Sequence, residues 1–441
     1  MPSPRNAATI AVLPERYART VNSNAAEPLP ERWWDIYQDS GLNALVQMAL
    51  NDNPGINQTR TRLEQAAAVA GKTYADLLPS ASITGERRGT RTENTSSDSL
   101  SLSGAASYEL DIWGKNRAAA EADILEAQAS LQDLNVASIT LSASVVENWL
   151  RLRALRAESR MIADQIDTNT TILDLQHERY ANGSGSLLDV LQQKETLESS
   201  KAQLPDIQTS QELILHQLAA LVGKNPGAHF SVGGDSIPKI PALPATGLPS
   251  TLLETRPDIE AAWLRLRSAD WATSAAVRDR LPAFTLSANI TSSATKLSGL
   301  FDSWLLNLVA EAALPILDGG ERRAEVLRQK ARADERFHAY RETVIGAIAE
   351  VEDALTQNHF QLQKCDAITR QLESARAALE QAQLSYSNGD TGYINVLTSL
   401  RSVQSLERQY VQAERDLALF RVALYRALGV NDWHQKEQKP S

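Results

Sequence analysis

The chain is predicted to be a mainly α protein with a smaller β part, built as two tandem copies of one repeat. Three observations carry this. Tyr180-Ala181-Asn182-Gly183, followed by Asp189-Val190-Leu191, returns 206 positions later as Tyr386-Ser387-Asn388-Gly389, followed by Asn395-Val396-Leu397. Near its start each copy carries a run of polar/apolar alternation, the period of a strand. Between that run and the returning motif lies a long stretch fit for unbroken helix: Lys115 to Glu178 holds no proline or glycine, and Glu321 to Tyr386 holds only Gly346.

Length and composition bound the functions. The 441 residues carry a net charge of −10 and no run of Lys and Arg, so a nucleic-acid partner is not expected. Aromatics are only 5%, and Ala, Leu, Gln, Glu, Ser and Arg dominate, the palette of long, partly solvated helices. The single cysteine, Cys365, has no partner for an intrachain disulfide and reads as an apolar filler. No segment reaches the ~18 uncharged apolar residues of a membrane helix. The opening Met1-Pro2-Ser3-Pro4 has no signal-peptide pattern, so a start from which an export signal has been removed is expected.

Along the chain, Trp33-Trp34-Asp35 opens the folded part, and Leu42, Leu45, Val46 and Leu50 begin a helix that pauses at Asn53-Pro54 and ends before Pro79. Ala81 to Arg91 is predicted to be one strand, Glu93 to Asp98 a polar loop, and the segment from Leu100 its partner. There Leu100, Leu102, Ala106, Tyr108, Leu110 and Ile112 take one face and Ser99, Ser101, Ser103, Ser107, Glu109 and Asp111 the other. The second copy alternates in the same phase through Phe284 to Ile290 and Trp304 to Ile316. Each long stretch then turns at an Asn-Gly tip into a returning helix, marked by Leu187, Val190, Leu197, Leu204 and Leu218 in one copy and Tyr393, Val396, Leu400, Val403 and Leu417 in the other. The predicted organisation is an N-terminal segment 1–50, repeat 1 over 51–223 with its tip near 182–186, a proline-rich linker 224–255, repeat 2 over 256–429 with its tip near 388–392, and a tail 430–441.

Strands of about ten residues with one small polar face suit a membrane barrel better than an ordinary half-buried hairpin. Four strands cannot close a barrel, and open edges are intolerable in lipid, so the chain must oligomerise. Eight strands fill their own interior, whereas twelve or more leave a lumen, and serine-rich inner faces make sense only with water inside. The expectation is a trimer or larger, a β-barrel pore continued by a tube of helices.

The chain resembles the TolC-type outer-membrane efflux proteins, in particular the NodT/OprM-like branch, from Trp33 to Gly429. The resemblance is carried by Trp33-Trp34 with Leu42 and Leu45, by Arg256-Pro257-Asp258-Ile259, by the Leu78-Pro79 and Leu281-Pro282 strand entries, by Gly114 and Gly319-Gly320, and by the two tips. It implies a homotrimer with a twelve-stranded outer-membrane barrel, four strands from each chain, continued by a long α-helical barrel through the periplasm, with an α/β equatorial belt. The implied function is a passive exit duct of a tripartite multidrug efflux system, docked to a periplasmic adaptor (a membrane fusion protein) and an inner-membrane pump of the RND or major-facilitator kind. A duct for secreted proteins has the same fold, and a non-porous coiled-coil adaptor is the alternative from another class. Many members of this branch carry a lipidated N-terminal cysteine, and none precedes Cys365 here.

The resemblance also implies a gate at the periplasmic tip. The family's tyrosine and aspartate latch falls on Tyr386 and Asp189; Asp390 and Asn395 complete the candidate constriction, although their placement is explained equally well as helix N-terminal residues satisfying backbone donors. Asn182, Gly183, Asn388 and Gly389 are the expected adaptor contacts, and the Ser99 to Asp111 polar face the expected barrel lumen. No catalytic constellation, metal spacing or cofactor motif is found: Gly71-Lys72-Thr73 lacks the first glycine of a phosphate loop, and Gly183-Ser184-Gly185 is a turn.

Overall fold

A computed structural model describes residues 16–18, 32–94, 96–228, 232–241, 243–244 and 249–429. The tail 430–441 and most of the segment before residue 32 lie outside the described residues. A 3-10 turn at Trp33–Tyr37 precedes α1 (Ser40–Asp52) and α2 (Pro54–Ala75), followed by β1 (Ser80–Arg91), β2 (Ser96–Leu110), α3 (Lys115–Ala181) and α4 (Leu187–Leu221). After the linker come the short α5 (Leu252–Thr255), α6 (Pro257–Arg278), β3 (Ala283–Ala294), β4 (Leu305–Ala313), α7 (Glu321–Ser387) and α8 (Tyr393–Ala427). The duplication is quantitative. α3 and α7 both have 67 residues, and α4 and α8 both have 35.

The chain divides into two compact units, and these do not follow the two copies. One takes 59–134 with 257–344; the other takes 135–256 with 345–429 and the described residues up to 58. Each unit therefore combines corresponding parts of both copies.

In the first unit the four strands form one antiparallel sheet in the order β1-β2-β3-β4. Two expected boundaries shift. The polar loop is shorter than expected, because Ser96, Ser97 and Asp98 pair with Arg91, Thr90 and Gly89; serine and aspartate do not prevent pairing where both strand ends are exposed. Alternation through Ile112 and Ile316 overran the strands, which stop at Leu110 and Ala313. Asp111 turns its carboxylate back to accept the backbone N–H groups of Asn116 and Arg117 at 3.0 and 2.9 Å, and Pro315 has no N–H to give a ladder. Helix α6 lies against α3 through Arg265, which forks onto Asp133 and reaches Glu126 at 3.3 Å, and through Leu264 with Leu125 and Ala129. The Asp133 hydrogen bonds raise the Arg265 pKa above its ordinary value. On its other side α6 meets α7, where Trp263 and Tyr340 pack 5.6 Å apart.

In the second unit Trp33 is fully buried and stacks on Tyr425 at 5.3 Å, while Tyr37 packs on Trp149. The linker is tied down by arginines from the long helices: Arg153 donates to the Ser236 carbonyl at 2.7 Å and the Gly233 carbonyl at 3.1 Å, Arg156 to Val232, and Arg421 to Pro241. Arg421 is buried and its Nε donates to Asn358 Oδ1 at 3.1 Å; Asn358 in turn gives its amide to the Ala354 and Phe420 carbonyls. Pro205 sits inside α4 without ending it.

Arg421→Met is expected to destabilise the protein by about 2–3 kcal/mol, because Asn358 and the Pro241 carbonyl lose a charged donor inside the core. Arg151→Ala, which removes an exposed guanidinium from an i,i+4 pair 4.0 Å apart, should change stability by less than about 0.5 kcal/mol. Thermal midpoints in detergent check both, and equal shifts would contradict the assignment.

Candidate functional site: helical tips and sheet face

The two tips are built alike, bond for bond. At the end of α3, Asn182 N–H donates to Glu178, Gly183 to Tyr180 and Ser184 to Arg179; at the end of α7, Asn388 donates to Leu384, Gly389 to Tyr386 and Asp390 to Ser385. Gly183 and Gly389 have φ of +71° and +81°, the left-handed conformation that closes a helix C-terminus and favours glycine. Nothing crowds either glycine.

The copies part company one residue later. Helix α4 opens on a capping box: Ser186 Oγ accepts from Leu188 N at 3.0 Å, and Asp189 Oδ2 accepts from Ser186 N at 3.4 Å. Helix α8 opens on Gly392, with no side-chain cap, and Asn395 stands where Asp189 stood. The change from Asp189 to Asn395 accompanies the loss of a cap.

Side chains diverge as well. Copy one leaves Tyr180 and Leu187 exposed, whereas the matching Tyr386 and Tyr393 turn inward, their rings 5.6 Å apart. The direct Tyr386 to Asp189 bond implied by the resemblance is not the contact within the chain. Tyr386 donates to Gln176 Oε1 at 3.3 Å under the Arg179 guanidinium, 4.6 Å from its ring, and Asp189 is engaged as a cap. Tyr393 donates to Gln193 Oε1 at 2.6 Å. Its hydroxyl pKa is raised, chiefly by burial, with Tyr386 and the Asp189 charge adding to it.

Behind the tyrosines lies a buried polar cluster that apolar spacing does not reveal. Asn169 is its hub: Gln193 donates to its backbone carbonyl at 2.9 Å, Gln404 to its Oδ1 at 3.2 Å, and its own amide donates to Ser200 Oγ at 3.0 Å. One turn away, Gln165 accepts from Arg408 at 2.9 Å and donates to the Gln404 carbonyl and Glu407. Arg401 joins α8 to α4 through Thr196 and Glu195. Its members are scattered over α3, α4 and α8, so no single stretch of sequence signals it.

In the sheet, the register gathers most apolar side chains on one face and most polar ones on the other; Arg87 and Ser292 on the first face, and Leu305 and Val309 on the second, are among the exceptions. Leu100, Gly104, Tyr108 and Leu110 face Ala294, Ile290, Leu286 and Phe284, and β4 adds Leu306, Leu308, Ala310 and Ala312 to that face. The other face gathers Ser99, Ser101, Ser103, Ser107 and Glu109 with Thr84, Glu86 and Arg88 of β1, Thr285, Ser287, Asn289 and Thr291 of β3, and Asn307 and Glu311 of β4. Ser103 and Thr291 hydroxyls meet at 3.1 Å. Asp111, expected among the polar-face residues, lies past the strand and caps α3. Two opposed faces, one mainly apolar and one mainly polar, suit a strand layer between lipid and water. No helix among the described residues is long and apolar enough to cross a membrane, and no group of metal-ligating side chains is found among them.

The sequence profile of the family described as Outer membrane efflux protein matches residues 45–224 and 248–430. The chain belongs to this family. It is 31% identical to the Pyoverdine export outer membrane protein OpmQ of Pseudomonas aeruginosa, across 99% of this chain and 94% of that protein. Among solved structures, the outer-membrane channel OprN superposes with a TM-score of 0.84 at 26% identity, covering 95% of this chain and 98% of that one, and the outer membrane protein VceC of Vibrio cholerae with 0.84 at 27%, covering 92% and 100%. As an outer-membrane efflux channel protein, the chain places its sheet in the outer membrane and extends into the periplasm. These relatives carry the names of export, channel and outer membrane proteins.

Tyr393→Phe leaves the buried Gln193 oxygen without its donor and is expected to cost about 1–3 kcal/mol, whereas Tyr386→Phe removes a longer, half-exposed bond worth about 1 kcal/mol or less. Denaturation midpoints of the two variants should fall in that order; the reverse order would contradict the cluster as described.

Proposed function

We propose that three copies of this chain form a passive exit duct, a twelve-stranded barrel whose lumen is lined by the polar sheet face, closed at rest by the inward-turned helices of the second copy at the periplasmic tip. The observation that carries the reading is the non-equivalence of the tips: identical turns present exposed Tyr180 and Leu187 in one copy and inward Tyr386 and Tyr393 in the other. A moving part needs contacts that exchange at low cost. Tyr386 on Gln176 and Arg401 on Thr196 are polar bonds of about 1 kcal/mol net each, replaceable by water, in contrast to the apolar packing of Trp33 on Tyr425.

In this reading Tyr386, with Gln176 and Arg179, holds the tip shut; Asp189 shapes the start of α4; and Asp390 and Asn395 stand at the constriction where three copies converge. The exposed turns at Asn182, Gly183, Asn388 and Gly389 are the surface offered to a periplasmic adaptor, which links the duct to an inner-membrane pump of the RND or major-facilitator kind. The OpmQ name supports a small exported molecule as cargo.

Planar-bilayer recordings test the gate. Wild-type protein should give small, infrequent openings, and Tyr386→Ala combined with Gln176→Ala should raise mean conductance several-fold, while Tyr180→Ala should leave it unchanged. Equal conductance in the double variant and wild type would contradict the gate.

A further inference from the structure

The mainly apolar face of the sheet carries two charges that lipid would not accept at every depth. Antiparallel partners share a face, so β1 presents Ile83, Gly85, Arg87, Gly89 and Arg91 on the side of Leu100 and Leu102. Two guanidiniums thus stand four residues apart on that side. Arg88, by contrast, lies on the polar face, where it holds Glu86 at 2.8 Å.

A cation on a lipid-facing strand is costly at the bilayer midplane and tolerated near the interfaces. The strands meet their helices at the Ser80, Leu110, Ala283 and Ala313 ends, and the chain extends from there into the periplasm, so the turn between β1 and β2 lies at the outer surface. At about 3.3 Å per residue and a tilt of about 40°, Arg87 stands about 18 Å and Arg91 about 28 Å above the Ser80 end, against an apolar band about 25 Å tall. The long Arg87 stem covers the remaining distance. Both head groups therefore reach the level of the outer-leaflet phosphates.

The surroundings leave room for a ligand. Among the described residues, no atom beyond its chain neighbours lies within 4 Å of the place of a Gly85 Cβ, and Gly89 puts no side chain between the two guanidiniums; glycine inside a strand often marks such close approach. Asp98 is the acid of this face. Its bond to Arg87 is long, 3.4 Å, between side chains 73% and 57% exposed, a pair weak enough for a better anion to displace. Arg91 has no ion-pair partner among the described residues. The connection between β3 and β4 is tied to the same side, since Ser292, opposite Leu102, donates to the Ser303 carbonyl at 2.7 Å. That connection leaves Phe301 and Trp304 exposed, rings of the kind that settle at a membrane interface.

We infer that this patch binds a bis-phosphorylated, acylated glycolipid of the outer leaflet, one phosphate on Arg87 and the other on Arg91. The inference rests on the proposed assignment of the polar face to the lumen, which leaves this face to lipid. A guanidinium grips a phosphate through two parallel N–H bonds. Two guanidiniums about 13 Å apart along the strand suit phosphates at the two ends of a disaccharide headgroup better than the single phosphate of a glycerophospholipid. The acyl chains then lie below, against Ile83 and Leu102.

Native mass spectrometry of the full-length protein in detergent, titrated with bis-phosphorylated lipid A, tests the site. Wild type should retain the lipid, and Arg87→Gln combined with Arg91→Gln should lower retention on the order of tenfold. Asp98→Asn, which removes the competing acid, should raise retention about threefold. Unchanged retention in the double variant overturns the site, as does weaker retention in Asp98→Asn. Phosphatidylglycerol or monophosphorylated lipid A held as tightly as the bis-phosphorylated form overturns the two-phosphate ligand. Arg88→Gln, on the other face, should change nothing; a loss there as large as in the double variant overturns the assignment of the polar face to the lumen.

Discussion

Hydrocarbon accepts no unpaired peptide group, and this sheet ends in two edges, β1 and β4, that pair with no further strand among the described residues. Most other features of the chain follow from reconciling those facts. The strands are long enough to span an outer membrane when tilted, and their register builds one mainly apolar and one mainly polar face across four strands. A soluble protein would cover such an edge with a helix or blunt it with charge. Here Leu305 to Ala313 stays exposed along its length, which is consistent with an edge reserved for another strand.

The helical part solves a different problem. A lumen-forming helix layer has to be stable yet able to rearrange at its end, and the two demands are met by different side chains. Near Trp33, Trp149 and Tyr425 the packing is aromatic and closed, reinforced by buried Arg421. Along α3, α4 and α8 toward the tips the interior becomes Asn169, Gln193, Gln404 and Gln165, bonded to each other and to main chain. Buried amides specify a register through satisfied bonds, and each bond can be traded for another, which an apolar seam cannot do selectively.

Much of this architecture was legible in the sequence, for reasons that are themselves physical. Periodicity reports burial on one face, so the strands and the long helices could be placed from Leu100 to Leu110 and from the absence of glycine and proline. The Asn-Gly tips were legible because a left-handed residue closes each helix. Strand ends were not, since Asp111 stops a strand by capping the next helix and Pro315 by lacking an N–H, and both lie within an alternation that continues past them. The tip geometry was legible only in part. Tyr386 and Asp189 occupy matched motif positions, but the hydroxyl goes to Gln176 of α3 and the carboxylate to the capping box of its own helix, partners that the motif does not display. The Asn169 cluster was hidden because glutamine and asparagine read as solvent-facing on a helix until their partners on two other helices are in place.

The central claim is that the open edges are closed by further copies into a single water-filled barrel. Native mass measurement of the particle extracted from the outer membrane, coupled to single-channel recording of the same preparation, tests it most directly. The account predicts three chains per particle and discrete conductance steps; a monomer, or a trimer that never conducts, would contradict it.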